Sequence, residues 1–265
     1  MLTSPISLVV EPPIARLRLN RPDKRNALTR QMIVEMNEAL RTVADDEAVR
    51  LLILSAEGTV FCAGMDLGEM QQRACSSNPA EEWQEDSECY RDLLSRLFTL
   101  PMPTVTVAQG PVLAGGIGLV LACDIVLADE SAFFWLPEPR RGITAAIVAP
   151  LLLYRMGAGA AHYLLLSGER VKADAALRWG LCHDTVAAER LAARTDTLAA
   201  AILEGAPSAL SMTKRHLREC AAAGLADQSQ RGLTISADAR RTPDAREGLA
   251  AFLEHRPPAW SPRAD

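Results

Sequence analysis

Lysine is almost absent from this 265-residue chain: only Lys24, Lys172 and Lys214 occur, so nearly all positive charge is arginine. With 28 Lys and Arg against 33 Asp and Glu, the formal net charge is -5. Nucleic-acid binding needs clustered cations to neutralise phosphates, so this balance excludes a broad nucleic-acid face and leaves room for a few cations around one phosphate-bearing ligand. Paired cysteines are missing as well. Cys62, Cys75, Cys89, Cys123, Cys182 and Cys220 are scattered without a C-x-x-C, and no charged-then-apolar leader precedes Ile6-Ser7-Leu8. Both features point to reduced thiols in a cytoplasmic protein. Every long apolar run is broken by Gly, Pro, Asp or Arg short of the roughly 18 residues that a membrane span requires. The four histidines lie far apart with no H-x-x-x-H spacing, so no metal is expected. A G-x-S-x-G nucleophile context is also absent.

What is present is a globular composition, 49% hydrophobic and 23% charged, in a chain long enough to bury a full-sized core. Residues 14–20 alternate apolar and polar side chains until Arg21-Pro22-Asp23 stops them, which predicts a strand. Thr29 is placed to cap a helix whose Met32, Met36, Leu40 and Val43 form one apolar stripe. Residues 49–54 then read as a buried strand, 104–108 as a β-branched strand, 110–118 as a glycine-rich turn opening a helix, and 124–128 as another strand. Strand–helix–strand twice over predicts an α/β core with largely parallel pairing. The polar stretch 70–86 reads as a mobile surface excursion before a helix over 90–98. Beyond Gly157 no strand signal remains, and six Ala- and Leu-rich segments up to residue 254 read as helices. Residues 1–200 are therefore expected to form the core and 201–265 a helical C-terminal region. In that region Lys214, Arg215 and Arg218 read as a solvated face.

Two turns carry candidate chemistry. In Gly110-Pro111-Val112-Leu113-Ala114-Gly115-Gly116-Ile117-Gly118, Gly116 stands where a phosphate loop needs Lys, and the tight G-x-G of a dinucleotide fingerprint is missing. What the loop offers is backbone: N–H groups at a helix start, with no side chains in the way. Phe61-Cys62-Ala63-Gly64-Met65-Asp66-Leu67 is a second small-residue turn, able to present the Met65 N–H. Convergence of the two would give a pair of donors for a carbonyl oxygen gaining negative charge. The glycine loop on its own reads equally well as close packing between a strand and a helix.

These two segments resemble the enoyl-CoA hydratase/isomerase (crotonase) family, together with Leu19 to Leu28, Cys123-Asp124-Ile125, Pro137-Glu138 and Phe252 to Trp260. The resemblance runs in order along nearly the whole chain. It implies a crotonase-like spiral of ββα units with a helical C-terminal trimerisation region, assembled as a homotrimer or a dimer of trimers. It implies an acyl-CoA thioester substrate and no separate cofactor. The Met65 and Gly115 N–H groups match the family's oxyanion donors, and Glu138 matches its Pro-Glu carboxyl. Lys24, Arg25, Ala27, Ala63, Asp66 and Leu67 match CoA-binding positions. Phe252 matches an aromatic that touches CoA from a neighbouring subunit, and His255 stands where Lys is common.

The family's hydratases carry a second glutamate on the helix after the glycine loop, where this chain has Gly118. The Gly118/Glu138 arrangement resembles methylglutaconyl-CoA and isohexenylglutaconyl-CoA hydratases, which implies extra pocket volume at Gly118 and a substrate with a second carboxylate for Arg140 or Arg141. Glu138 follows Phe133-Phe134-Trp135-Leu136-Pro137, and apolar surroundings would raise its pKa toward neutrality. A single carboxyl of this kind suits water addition to an enoyl-CoA. It equally suits a double-bond isomerase, and the loss of an acid at position 118 suits a non-catalytic acyl-CoA binder.

Overall fold

Strand β1 (Ile6–Glu11) turns back into β2 (Ile14–Leu19), where alternation places Ala15, Leu17 and Leu19 in the core with no exposed surface. Helix α1 (Arg30–Asp45) follows, with the Thr29 hydroxyl accepting from the Met32 N–H and the stripe Met32, Met36, Leu40 and Val43 fully buried. Strand β3 (Leu51–Ala56) is apolar on both faces, as a central parallel strand must be when it is covered on both sides. The computed structural model describes residues 4–221 and 224–260.

Residues 70–86 depart from the expected loop. All but residues 75–78 fall within helices α2 (Leu67–Ala74) and α3 (Pro79–Thr99), the latter 21 residues long. Their polarity is that of a charge-laced face: Arg73 pairs with Asp86 at 2.6 Å and Glu82 at 2.9 Å, and Arg30 reaches Asp86 at 3.2 Å. The inner face of α3 buries Tyr90, Leu93, Leu94 and Leu97.

The chain continues through β4 (Thr104–Ala108), β5 (Val112–Leu113), α4 (Gly115–Ala122), β6 (Ile125–Asp129) and β7 (Phe133–Trp135). After α5 (Ala149–Ser167), which bends at Gly157, come β8 (Val171–Lys172), α6 (Ala173–Arg178), β9 (Asp184–Val186) and α7 (Leu191–Leu203). The expectation of no strand beyond Gly157 fails at β8 and β9, because strands of two and three residues are too short to carry an alternation. Helices α8 (Pro207–Ala221), α9 (Leu225–Arg240) and α10 (Pro243–Leu253) complete the described chain.

The main sheet runs β1-β2-β3-β4-β6-β9, parallel at every step except β1 against β2. A smaller sheet, β5-β7-β8, stands beside it. Two sheets connected by helical crossovers are the expected α/β spiral. The C-terminal helices are not detached from it: Leu225 and Leu233 of α9 belong to the same hydrophobic core as β2, α1 and α4. Lys214 corrects the reading of α8 as a solvated face. It is buried, 2.7 Å from Asp124 and donating to the Met102 carbonyl at 2.9 Å, whereas Arg215 stays exposed beside Glu219. No described helix is long and apolar enough to cross a membrane.

Candidate active site

A parallel bridge aims the first donor. The Leu28 N–H donates to the Gly64 carbonyl at 2.8 Å, and the Asp66 N–H donates to the Leu28 carbonyl at 2.9 Å. In such a bridge the flanking peptide groups are paired and the central residue's own N–H turns to the opposite side, so Met65 presents its N–H away from Leu28. Gly64 holds the bend at φ +87°, and a Cβ there would fall 2.5 Å from the Ala114 Cβ and 3.3 Å from the Gly115 nitrogen. The two turns are therefore in contact.

Ala114 aims the second donor. Its own N–H donates to the Trp135 carbonyl at 2.9 Å, and its backbone takes φ 49°, ψ -126°, a conformation that L residues rarely adopt. Strain of this kind persists only where the surroundings enforce it. Here it starts α4 abruptly, leaving the Gly115 N–H free of intrahelical partners at the positive end of the helix dipole. Gly116 lets α4 close onto the first turn, since a Cβ there would lie 2.7 Å from the Cys62 Cβ.

Met65, Gly115 and Glu138 line one cleft, walled by Tyr90, Ile143, Thr144, Ile147 and Val148. Glu138 opens a single 3-10 turn after Pro137 and is 7% exposed. Its Oε2 is buried without a hydrogen-bond partner among the described residues. Burial raises its pKa to about 7, against smaller lowering effects of its own backbone N–H and of the Arg141 charge. Burial and the raised pKa are what its apolar sequence surroundings predict. Helix α10 clamps this turn from behind, because Gly248 packs so closely that a Cβ would sit 2.3 Å from the Arg141 carbonyl.

Gly118 does not enlarge the pocket, contrary to the reading above. A Cβ at Gly118 would stand 2.2 Å from the Tyr90 hydroxyl and 2.9 Å from Leu94 Cδ1, so α3 fills that space. The Tyr90 hydroxyl donates to the Gly115 carbonyl and the ring lines the cleft. Sequence reasoning missed Tyr90 because its position on the buried stripe of α3 reads as core. Ser87, Asp86, Ser236 and Arg240 also reach this cleft from α3 and α9, two helices whose crossing no local motif announces.

The remaining expected positions gather beside the cleft mouth. The Ala63 N–H donates to the Arg25 carbonyl at 3.0 Å, and the Ala27 N–H to the Lys24 carbonyl at 3.0 Å, so both loops form one lip. Lys24 and Arg25 are exposed on it. The Asp66 carboxylate caps α2 through Gly68 and Glu69 and pairs with Arg21 at 3.3 Å, which gives its side chain a structural task; Leu67 lines the cleft. Phe252 lies apart from the lip, its ring under the Arg141 guanidinium at 4.6 Å. Arg140 is exposed and faces Trp135, 5.9 Å from the ring centre, whereas Arg141 is half-buried and lines the cleft. No group of three or more His, Cys, Asp or Glu able to hold a metal occurs among the described residues.

Comparison with known proteins bears on the family and the fold. The crotonyl-CoA hydratase of Syntrophomonas wolfei is 33% identical over 257 residues, covering 95% of this chain and 95% of that protein. The 2,3-dehydroadipyl-CoA hydratase of Escherichia coli is 31% identical over 252 residues, 93% of this chain and 94% of that protein. The crystal structure of an enoyl-CoA hydratase from Mycobacterium avium superposes with a TM-score of 0.87 at 31% identity, covering 98% of this chain and 100% of that one. The sequence profile of "Enoyl-CoA hydratase/isomerase" matches residues 10–263. On a match of that extent, this chain belongs to the enoyl-CoA hydratase/isomerase family of the crotonase superfamily.

Proposed function

We propose that this protein is an enoyl-CoA hydratase, a lyase that adds water across the 2,3 double bond of an acyl-CoA thioester. The observation that carries the reading is the Glu138 carboxyl: buried, tuned to about 7, with Oε2 unpartnered in the cleft that Met65 and Gly115 also line. At neutral pH such a group is present in both protonation states and can take a proton from water and return it to carbon. The thioester oxygen would receive the Met65 and Gly115 N–H groups, which gain strength as it becomes an enolate. The exposed Lys24 and Arg25 on the adjoining lip supply cations for CoA phosphates, with Ala27, Ala63, Asp66 and Leu67 forming the surface beneath the adenine. No cofactor is required, because CoA arrives as part of the substrate.

The acyl group we propose is branched and carboxylated, of the 3-methylglutaconyl or isohexenylglutaconyl type. Arg141 supports this, since it lines the cleft with Glu138 as its charged neighbour, and Arg140 does not line it. Arg141 and Arg240 also line a small adjoining apolar recess beside Trp83 and Leu249, which offers a branched chain an apolar wall. Turnover of crotonyl-CoA and 3-methylglutaconyl-CoA, followed by loss of enoyl absorbance and by product mass, tests the reading. The expected product is heavier by one water. Retained mass with a moved double bond would instead establish the isomerase, which a lone carboxyl also serves. A charge-assisted contact is worth about 1.5–3 kcal/mol, so Arg141→Met is expected to lower the preference for the carboxylated ester by about 10- to 100-fold, read as the ratio of kcat/KM between the two esters. An unchanged ratio removes Arg141 from substrate recognition.

We further propose a homotrimer or a dimer of trimers. Large apolar side chains stand exposed on the C-terminal helices, among them Met212, Leu217 and Ile235, and a monomer gains nothing from leaving them in water. Sedimentation equilibrium is expected to give three or six times the 28.6 kDa chain mass, and a monomer at micromolar concentration would refute this assembly.

A further inference from the structure

Water addition asks for more than a proton acceptor: the attacking oxygen must also be aimed at Cβ. Glu138 supplies one contact for that water, and α4 brings no polar side chain to the cleft, because Gly118 has none. The space in front of Gly118 is occupied by the Tyr90 hydroxyl, 2.2 Å from where a Cβ at that residue would stand and 3.3 Å from a Cβ built on Gly115. Tyr90 is 5% exposed and lines the same cleft as Glu138.

We propose that Tyr90 is the second contact for the attacking water, so that Tyr90 and Glu138 together aim it at Cβ. The inference rests on the hydratase reading. The Tyr90 hydroxyl hydrogen is engaged by the Gly115 carbonyl, which fixes the rotor and leaves the oxygen's acceptor capacity for the cleft. Water can then give one hydrogen bond to Tyr90 Oη and its other proton to Glu138. The water oxygen bonds to Cβ, the Cα–Cβ π pair moves onto Cα, and the negative charge rests on the thioester oxygen at the Met65 and Gly115 N–H groups. Glu138 returns the proton to Cα, and one water has been added. Tyr90 transfers no proton. Burial holds its phenol well above the ordinary value, so the hydroxyl stays neutral throughout. Tyr90 also braces the loop, since its bond to the Gly115 carbonyl adjoins the oxyanion donor.

Two reactions separate water positioning from this brace. Hydration of crotonyl-CoA needs the water. Exchange of the Cα protons of saturated butyryl-CoA with D2O needs only Glu138 and the two N–H groups. Tyr90→Phe is expected to lower kcat for hydration by about tenfold more than it lowers the exchange rate, the value of one hydrogen bond to the water, because any loss from the brace falls on both reactions alike. Glu138→Gln is expected to abolish both reactions. Should Tyr90→Phe fail to fold, 3,5-difluorotyrosine at position 90 keeps the ring and hydroxyl but weakens the acceptor, and the same split is expected. Undiminished hydration overturns the role of Tyr90 and leaves the hydratase reading intact. Equal loss of both reactions shows Tyr90 to be a brace for the loop alone. A wild-type protein that exchanges Cα protons yet hydrates no ester overturns the hydratase reading and Tyr90's role with it.

Discussion

Glu138→Gln is expected to make this protein nearly inactive and more stable at the same time. A positioned acid–base group typically contributes 10²–10⁴ in rate, and no other carboxylate in the cleft takes its place: Asp86 is turned to Arg73 and Arg30. The stability effect follows from the raised pKa. The native state holds the Glu138 proton up to about 7, whereas the unfolded chain releases it near 4.5. Between these values the native state binds more protons, so the stability it draws from a neutral, buried carboxyl is complete below 4.5, falls as pH rises to 7, and stays low above. The difference corresponds to about 3 kcal/mol, which a neutral glutamine escapes. Urea denaturation at pH 4, 6 and 8 is expected to show the variant equal to wild type at pH 4 and more stable by about that amount at pH 8. A structural glutamate would behave oppositely, losing stability at pH 8. In the wild type, kcat/KM for hydration is expected to rise with pH to a plateau above 7, where Glu138 is ionised and able to accept the water proton.

The same residue shows what the sequence could and could not tell. Five apolar or proline residues before Glu138 announce a desolvated carboxyl, because burial follows from local composition. Helix α1 was legible for a similar reason: its cap and its stripe lie within one segment, and the structure keeps both. Helix α3 was half legible. Its buried stripe from Tyr90 onward is a local pattern, but the ion pairs that hold its polar first half join Arg30, Arg73 and Asp86 from three different helices. The role of Gly118 depended on such a distant contact as well. A missing side chain reads as free volume until the chain 28 residues earlier is seen to fill it with Tyr90. Short strands such as β8 and β9 have too few residues to show a period, and only their pairing partners define them.

Gly64→Ala is expected to cost about 10²–10³ in kcat/KM, the value of one oxyanion donor, although the substituted residue contributes no side chain to the reaction. The added methyl would meet the Ala114 Cβ at 2.5 Å and the Gly115 nitrogen at 3.3 Å, so it would drive apart the two turns that bring the N–H groups together. The backbone at φ +87° adds strain of its own, about 1–2 kcal/mol for an L residue. Strain alone would lower stability without touching catalysis, and Gly180→Ala isolates it. Gly180 has φ +77°, and the nearest atom to a Cβ there is the Arg155 carbonyl oxygen at an ordinary 3.7 Å. Both variants are expected to lose stability, and only Gly64→Ala is expected to lose turnover. Enolate stabilisation is common to hydration and to Cα exchange, so Gly64→Ala should slow both equally, whereas Tyr90→Phe should slow hydration more. If Gly64→Ala turned over as fast as Gly180→Ala, the Met65 and Gly115 N–H groups would not share one oxygen, and the charge of the enolate would have to be held elsewhere in the cleft.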